Sequence, residues 1–420
     1  MSVNRIAIIC VHTSPLAPLG GKKTGGMNVY VRELARQFGE AGIGVDIFTR
    51  RSSPELPEID LSLGMNVRVI HVNCGPKVHL NPDDVYPHLS QFAAGVIAFT
   101  TKYHVTYDIL YSHYWLSGWV ANKLKEVWNT PFVHMFHTLG HMKNRISSTQ
   151  PRLPDVRVRV ETQIVEWADR IIAATPAEQA QLLWLYRADR RKIDIVPPGV
   201  DAEHFHPIPQ QEAKAKLGID DATRLFLFVG RIEPLKAVDM IIEAVDIIWS
   251  ERPELIEKCR LAIIGGDPED PTDEELNRLQ RITHTRDLNR YVEFLGAKGH
   301  PMLPYYYSAA EAVVVPSDYE SFGMVALEAM ASGTPVIASE VGGLAFLVQD
   351  SKTGYLIPVR DPKALAGRLI KLLESPQERQ MLGENATKLA QHYQWSKIKD
   401  RLMMVFEELT DRRSRKPAVV

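Results

Sequence analysis

The chain has 420 residues, of which 45% are hydrophobic and 24% charged, a globular composition that excludes collagen-like, coiled-coil and mainly disordered proteins. Lys and Arg number 49 against 51 Asp and Glu, giving a formal charge of −2. This balance predicts neither nucleic acid nor an anionic membrane surface as a partner.

The sequence also predicts a cytoplasmic protein without a transmembrane segment. Its three cysteines, Cys10, Cys74 and Cys259, form no CxxC pair and suit neither a disulfide framework nor a zinc ribbon. The short apolar run at the start has no small-residue cleavage site after it, and no segment reaches the roughly 18 apolar residues of a membrane span.

Short runs rich in Ile, Val and Leu alternate with amphipathic segments in the first half of the chain. The elements predicted there are strands at 6–11, 45–49, 108–111 and 132–136 and a helix at 29–40. In that helix Val31, Leu34 and Phe38 follow the spacing of one helix face. Repeated βα units of this kind predict a mostly parallel sheet.

The alternation restarts after residues 196–207, whose prolines and glycine favour neither a helix nor a central strand. The elements predicted beyond this linker are strands at 225–229, 261–264, 291–294, 312–315 and 335–338 and helices at 238–249 and 324–331. The chain therefore predicts an α/β fold with two doubly wound domains of similar size.

A glycine-rich loop from Gly20 to Asn28 separates the first strand from the first helix. Its free backbone N–H groups and the helix dipole favour an anion or a polar sugar. It is neither GxGxxG nor a Walker A motif, and an ordinary turn is the alternative.

Two cations, Arg231 and Lys236, lie between a predicted strand end and the next helix. Lysine is unfavourable at a helix N-terminus, so the pair indicates a bound anion such as a diphosphate. The alternative is two solvated surface cations.

Two glutamates are candidates in the segment of the predicted helix at 324–331, one before the helix and one within it. Glu328 is its one charged residue, and a carboxylate in a buried helix needs partners, which favours a binding role. Glu320 precedes the helix, and Gly323 leaves backbone N–H groups open to a ligand. A first-turn acid favoured by the dipole is the alternative for Glu320.

Histidines follow the strand at 132–136. The spacing of His134, His137 and His141 is a weak zinc pattern, and no other metal motif is present. His137 follows a parallel strand, where α/β sheets bind ligands, whereas His134 is expected in the core. Tyr114 and Arg157 are further candidates, although each taken alone is more often structural or solvated.

The chain resembles glycosyltransferase family 4, retaining sugar-nucleotide transferases of the GT-B fold. The segments that together carry the resemblance are GGMNVY, FVGRIEPLK, ESFGMVALEAMASGTPVIAS, VGGL and TGYLIP. The resemblance covers nearly the whole chain. It implies two domains facing across a cleft. Residues 1–197 and a crossing helix near 395–412 would bind the acceptor, and residues 209–394 the nucleotide sugar.

The resemblance also implies roles for single residues. Arg231 and Lys236 would bind the donor diphosphate. Glu328 would bind the ribose hydroxyls, Glu320 would bind the donor-sugar hydroxyls, and His137 would lie beside the transferred sugar. The remaining positions that would line the donor site are Gly26, Gly323 and Met324.

Positions matching the family's phosphorylated-acceptor site are Asn28, Tyr114, Thr138 and Arg157. The segments YSHYWLSG and HTLGHMKN look most like members that glycosylate an inositol phosphate, with enzymes of sucrose phosphate synthesis as near relatives. Two positions depart from the pattern: Pro82 stands for a lysine and Ala237 for a glycine. Lys77 is close enough in sequence to substitute for the missing lysine.

The expected activity is transfer of a hexosyl or N-acetylhexosaminyl unit from a nucleoside diphosphate sugar, with a UDP-sugar favoured, to a small acceptor such as inositol phosphate. No cofactor or divalent metal is implied. A homodimer is possible on the sequence, which does not decide the oligomeric state. The alternatives are transfer to fructose 6-phosphate, a sugar-nucleotide epimerase, and a non-catalytic nucleotide-sugar-binding regulator. The presence of Glu320 and His137 argues against the regulator.

Overall fold

The computed structural model describes residues 3–17, 25–146 and 155–414. They form two compact units. The N-terminal unit consists of residues 3–17, 26–146, 155–197 and 395–414, and the C-terminal unit is built on residues 198–394.

The N-terminal unit is an α/β domain around one sheet. Its elements in chain order are β1 (Arg5–Ile9), α1 (Gly26–Glu40), β2 (Gly44–Arg50), β3 (Ile59–Asp60), β4 (Val67–Val72), α2 (Pro82–Val85), α3 (Leu89–Tyr103), β5 (Ile109–His113), α4 (Trp115–Trp128), β6 (Phe132–Met135), α5 (Gly140–Ile146), α6 (Asp155–Trp167), β7 (Arg170–Ala173), α7 (Pro176–Tyr186) and β8 (Ile193–Ile195). The strand order is β3-β4-β2-β1-β5-β6-β7-β8. The pairs are parallel except β3 with β4.

The C-terminal unit repeats this architecture. Its elements are α8 (Gln210–Leu217), β9 (Arg224–Val229), α9 (Val238–Glu251), α10 (Pro253–Ile256), β10 (Cys259–Ile264), α11 (Glu274–Thr285), β11 (Val292–Gly296), α12 (Leu303–Ala309), β12 (Ala310–Val315), α13 (Met324–Ala331), β13 (Val336–Ser339), α14 (Gly342–Leu347), β14 (Gly354–Ile357), α15 (Pro362–Glu374) and α16 (Pro376–Ala390). The strands pair in parallel in the order β11-β10-β9-β12-β13-β14.

The last helix, α17 (Trp395–Ser414), belongs to the N-terminal unit and packs on α1. The ring centroids of Phe38 and Phe406 are 6.0 Å apart, and those of Tyr30 and Trp395 are 5.7 Å apart. The apolar face of α1 is thus buried between the sheet and α17, because Val31, Leu34 and Phe38 all point inward.

The predicted α/β class is confirmed, and the predicted strands lie within two residues of the observed ones. Helix α1 starts three residues earlier than predicted, at Gly26 instead of residue 29. Strands β3, β4, β7, β8 and β14 had no prediction. All of them except the six-residue β4 have only two to four residues, which are too few to establish an alternating pattern. Among the described residues, none of the helices combines the length and apolar character that a bilayer crossing requires.

Candidate active site

Three neighbouring strands of the N-terminal unit end beside one another, and the segments that leave them carry aromatic and imidazole side chains. His12 follows β1, Tyr114 follows β5 and His137 follows β6. The rings of His12 and Tyr114 lie 4.3 Å apart, and the Tyr114 N–H donates to the Met135 carbonyl at 3.0 Å. Ligands of parallel α/β sheets bind at this carboxyl edge.

Two of these residues have a strained backbone. His137 has φ 60°, and Tyr114 has φ 74° with ψ 157°, a region that essentially only glycine occupies. Such conformations cost of order 1 to 3 kcal/mol each and cluster at functional sites. The strain is therefore an independent indication that the residues after β5 and β6 have a function.

Arg157 of α6 lies beneath these segments and is only 2% exposed. Its Nε donates to Glu161 at 2.7 Å, its Nη1 to the Tyr114 hydroxyl at 3.1 Å, and its Nη2 to the Thr138 carbonyl and hydroxyl at 2.8 and 3.1 Å. Arg157 thus holds the loops after β5 and β6 together. The described residues leave one Nη1 hydrogen without an acceptor.

Glu161 neutralises Arg157 and is fully buried. It also accepts hydrogen bonds from the Gly140 N–H at 2.9 Å and from the Tyr186 hydroxyl. A buried ion pair is tolerated only when its remaining lone pairs and hydrogens are satisfied, and here several are. Sequence reasoning missed Glu161 because its i+4 distance from Arg157 is common on exposed helices too.

The imidazoles in this region are held neutral. Burial is the main cause that lowers the pKa of His137 and that of His12 to about 3, with nearby charge from Arg157 and Lys143 adding to the effect on His12. His113 Nδ1 and His137 Nε2 are 3.0 Å apart, and His113 Nε2 is buried with no hydrogen-bond partner among the described residues. A buried unpaired N–H is rarer than a buried unpaired acceptor, so the favoured tautomer has His113 donating to His137. His137 then carries its proton on Nδ1.

The remaining predicted residues of this unit lie in different settings. Asn28 is buried and donates to the Thr13 hydroxyl at 2.6 Å and the Ser14 carbonyl at 2.7 Å, so it shapes the segment after β1. Gly26 is exposed as the first residue of α1. Lys77 is exposed in the loop after β4, and the described contacts do not connect it with Arg157.

Lys143 of α5 is a further cation near these residues that sequence reasoning did not single out. Its charge, like that of Arg157, lowers the pKa of His12, whose ring centroid lies 4.3 Å from that of Tyr114. The indication available in the sequence was its position five residues after Thr138, in a short helix that starts at the sheet edge.

In the C-terminal unit, Lys236 and Glu320 form an ion pair. Lys236 ends a 3₁₀ turn, Pro234–Lys236, that follows β9, and Glu320 lies in the loop after the adjacent strand β12. Lys236 Nζ and Glu320 Oε2 are 2.5 Å apart, and both side chains are 21% exposed. Arg231, in the same loop as Lys236, pairs with Glu233 and is 44% exposed.

The loop that carries Glu320 leads directly into α13. Gly323 precedes this helix with φ 104° and ψ 57°, a conformation that favours glycine, and no side chain in the described part of the chain caps the helix. The first N–H groups of α13, starting with Met324, are therefore available to a ligand. The glycine of the family pattern after Lys236 is here Ala237, which adopts the left-handed conformation that glycine favours, with φ 51°.

Glu328 is 9% exposed in the otherwise apolar helix α13, as its sequence context predicts. The Tyr307 hydroxyl donates to its Oε2 at 2.7 Å and is the carboxylate's one hydrogen-bond partner in the described chain. Burial raises the pKa of Glu328 to about 7, although the Tyr307 hydrogen bond acts in the opposite direction. Its Oε1 is left as an acceptor.

The histidine segment forms no metal cluster. His134 is fully buried with its Nδ1 2.8 Å from the Ser112 hydroxyl, which agrees with its expected place in the core. Within residues 3–17, 25–146 and 155–414, no group of three His, Cys, Asp or Glu side chains has the arrangement of a metal site.

Two family models match the chain. One, described as Glycosyltransferase Family 4, matches residues 24–204, and the other, described as Glycosyl transferases group 1, matches residues 209–389. A D-inositol 3-phosphate glycosyltransferase of Thermobispora bispora is 40% identical over 416 residues, covering 98% of this chain and 96% of the relative. A protein of the same name from Kineococcus radiotolerans is 39% identical, covering 98% and 97%.

Solved structures give the same result. Sucrose-phosphate synthase from Thermosynechococcus elongatus superposes with a TM-score of 0.88 at 34% identity, covering 97% of this chain and 100% of that one. The HepE protein of Anabaena, solved with UDP-glucose, has a TM-score of 0.74 at 18% identity, covering 96% and 99%, and supports the fold alone. The chain therefore has the GT-B fold and belongs to glycosyltransferase family 4, close to the inositol 3-phosphate glycosyltransferases.

Proposed function

We propose that this glycosyltransferase moves a hexosyl or N-acetylhexosaminyl unit, with retention of configuration, from a nucleoside diphosphate sugar to a small phosphorylated acceptor such as inositol phosphate. A UDP-sugar is the favoured donor. The observation that carries the proposal is the Lys236–Glu320 pair, because it presents a cation and a carboxylate beside the open N-terminus of α13. A diphosphate and the hydroxyls of a sugar require these groups.

On the donor side, Lys236 and Arg231 bind the diphosphate, assisted by the backbone N–H groups at the start of α13. Glu320 and Glu328 accept hydrogen bonds from the donor-sugar and ribose hydroxyls. Glu328 suits this role because its Oε1 has no partner in the described chain. The Anabaena protein of the same fold was solved with UDP-glucose, so such a fold accommodates a nucleotide sugar.

On the acceptor side, the phosphate is bound by the free Nη1 hydrogen of Arg157 together with Lys143. The hydroxyls of Tyr114 and Thr138 complete the site, and both are already oriented by Arg157. This cluster is a better phosphate site than Lys77, which lies in an exposed loop. Asn28 supports it from the segment after β1.

His137 acts as a hydrogen-bond donor to the transferred sugar and not as a base. Its pKa of about 3 keeps the ring neutral, and the His113 contact occupies Nε2. The Nδ1–H is then free to bond a sugar hydroxyl.

In the reaction, the bond between the anomeric carbon and the diphosphate oxygen breaks as the acceptor oxygen forms its bond to the same face of that carbon. The acceptor proton passes to the departing phosphate. Arg231, Lys236 and the α13 N-terminus stabilise the charge that develops on the leaving diphosphate. Such electrostatic stabilisation is usually the largest single contribution to catalysis.

The test is an assay of UDP release with UDP-hexose and UDP-N-acetylhexosamine donors, each with inositol 1-phosphate, inositol 3-phosphate and unphosphorylated inositol. We expect acceptor-dependent UDP release with a phosphorylated inositol and an α-linked product by NMR. Interconversion of nucleotide sugars without acceptor would identify an epimerase instead, and UDP binding without turnover a regulator.

Transfer to fructose 6-phosphate is a second candidate, favoured by the 34% identity to a sucrose-phosphate synthase over 97% of the chain. Both acceptors carry a phosphate, so Arg157 and Lys143 do not distinguish them. Including fructose 6-phosphate in the same assay decides between the two.

A further inference from the structure

Arg360 connects the two loops that carry the Lys236–Glu320 pair. It lies between β14 and α15, and its Nε and Nη2 donate to the two Asp318 oxygens at 2.7 and 2.5 Å. Its Nη1 donates to Asp239 at 3.1 Å, and its Nη2 donates to the Pro234 carbonyl at 3.3 Å. One side chain thus fastens three segments of the C-terminal unit.

The groups that Arg360 holds lie next to the ion pair. Pro234 precedes Lys236 by two residues, and Asp318 precedes Glu320 by two. The Asp318 N–H also donates to the Leu235 carbonyl at 2.9 Å, so the loops already touch through their backbones. The guanidinium adds side-chain bonds on both sides of that contact.

Charge makes the Asp318 contact the critical one. Asp239 has a second cation, because Arg278 Nη2 lies 3.1 Å from its Oδ2. In the described chain, Arg360 is the cation that pairs with Asp318. Without it, an uncompensated carboxylate would lie two residues from Glu320 and loosen the loop that positions that residue.

The backbone at this position also matters. Arg360 has φ 57°, in the left-handed region where glycine is favoured. The planar guanidinium of Arg360 has five N–H donors and bonds Asp318 and Asp239 at the same time, which neither glycine nor lysine can do.

We infer that Arg360 is a positioning residue of the donor site, which neutralises Asp318 and keeps the two loops in the register that brings Lys236 to Glu320. The inference rests on the proposed donor-binding role of that pair. In this role Arg360 acts through the two loops and not by binding the donor itself.

The decisive variant is Arg360→Gly, because it removes the guanidinium while relieving the left-handed backbone, so we expect the fold to be retained. The matched control is Arg187→Gly in the N-terminal unit, an exposed arginine with φ 54°. We expect Arg360→Gly to raise the donor KM at least about tenfold and leave the acceptor KM unchanged, since small misplacements of binding groups are costly. The donor KM of Arg360→Lys should lie between those of the wild type and Arg360→Gly. The donor KM of Arg187→Gly should equal that of the wild type.

A second measurement does not depend on turnover. Lys236 is labelled with an amine-acylating reagent and its modification rate is followed by mass spectrometry, with the exposed Lys352 as internal reference. We expect several-fold faster labelling of Lys236 in Arg360→Gly, because the loops separate and expose it.

Unchanged labelling of Lys236 in Arg360→Gly would overturn the inference whatever the activity, and so would an unchanged donor KM in an active enzyme. Should the wild type neither bind UDP nor release it from any donor, the proposed function fails, and the labelling rates alone still decide whether Arg360 positions Lys236.

Discussion

The two units hold their candidate side chains in opposite ways. In the N-terminal unit, Arg157 is 2% exposed and bound to internal partners, and the half-buried imidazoles of His12 and His137 near it are held neutral. In the C-terminal unit, Lys236 and Glu320 are each 21% exposed and Arg231 is 44% exposed, and loops and one bridging arginine hold the ion pair. Both sites lie where parallel strands end.

This difference predicts how mutations at each site affect stability, binding and catalysis. Buried groups that satisfy one another are part of the fold, so altering them affects stability and binding together. A partly exposed ion pair contributes little to stability, so altering it affects binding and catalysis alone. The following predictions test this contrast, from the largest expected effect to the smallest.

Acid should unfold the N-terminal unit first. Burial lowers the pKa of His12 and His137 to about 3 and that of His113 and His134 well below the ordinary value. Near pH 6.5 these histidines bind protons in the unfolded chain but not in the folded protein. The contribution of the neutral histidines to the free energy of unfolding is therefore fully present above that pH and decreases below it. Below pH 6.5 the four histidines together should lower the free energy of unfolding by on the order of a few kcal/mol per pH unit. The carboxyl of Glu178, whose pKa burial raises to about 7, opposes part of this loss.

Hydrogen exchange measured by mass spectrometry at pH 7.5 and 5.5, corrected for intrinsic rates, tests this expectation. Peptides of β5, β6 and α4 should lose protection first. Earlier loss in the C-terminal strands would contradict the contrast between the units.

Arg157→Ala should destabilise the protein by about 3 to 5 kcal/mol, because it leaves the fully buried Glu161 without its cation. Lys236→Ala should cost less than about 1 kcal/mol. Chemical denaturation of the two variants measures the difference. Equal losses would mean that burial does not distinguish the two sites.

The conservative variant Arg157→Lys separates binding from folding. It should raise the acceptor KM far more than the donor KM, since lysine cannot replace the guanidinium hydrogen bonds to Tyr114 and Thr138. The comparison is made with phosphorylated and unphosphorylated acceptors. An enzyme that prefers the unphosphorylated acceptor and is indifferent to this change would contradict the acceptor half of the proposal.

Arg231→Ala and Lys236→Ala should each lower kcat at least about 100-fold, the scale of losing one charge-stabilising group. Thermal stability should stay near that of the wild type. Arg252→Ala is the matched control, because Arg252 pairs with Glu254 and Glu374 on the surface of the same unit. Rates near wild type in both site variants would exclude their role at the diphosphate.

Glu328→Gln should weaken UDP binding by about 1 to 3 kcal/mol, since charge-assisted hydrogen bonds to the ribose are lost. Because the pKa of Glu328 is about 7, wild-type binding should also strengthen as pH rises from 6 to 8, by roughly tenfold. Calorimetric titration of both proteins measures this, and the Gln variant retains only the pH dependence of UDP itself. Unchanged affinity with lost thermal stability would identify a structural glutamate.

Local sequence patterns were sufficient for the fold class and for some of the site. Apolar periodicity predicted the strands because burial is imposed residue by residue along each element. The buried position of Glu328 followed from the apolar residues around it in α13, and the family followed from several short segments. His137 and Tyr114 were singled out as candidates because each comes shortly after a predicted strand.

Contacts between distant segments were decided by tertiary structure alone. Lys236 and Glu320 are 84 residues apart in sequence, and they meet because β9 and β12 are neighbours in the sheet, an order that no local pattern encodes. The same holds for Arg360, which contacts loops 42 and 126 residues away in sequence. It also holds for Lys143, since proximity in sequence had pointed to Lys77, whereas the packing of α5 brings Lys143 close enough to affect His12. Periodicity reports which face of an element is buried, whereas strand order and loop packing determine which charges meet.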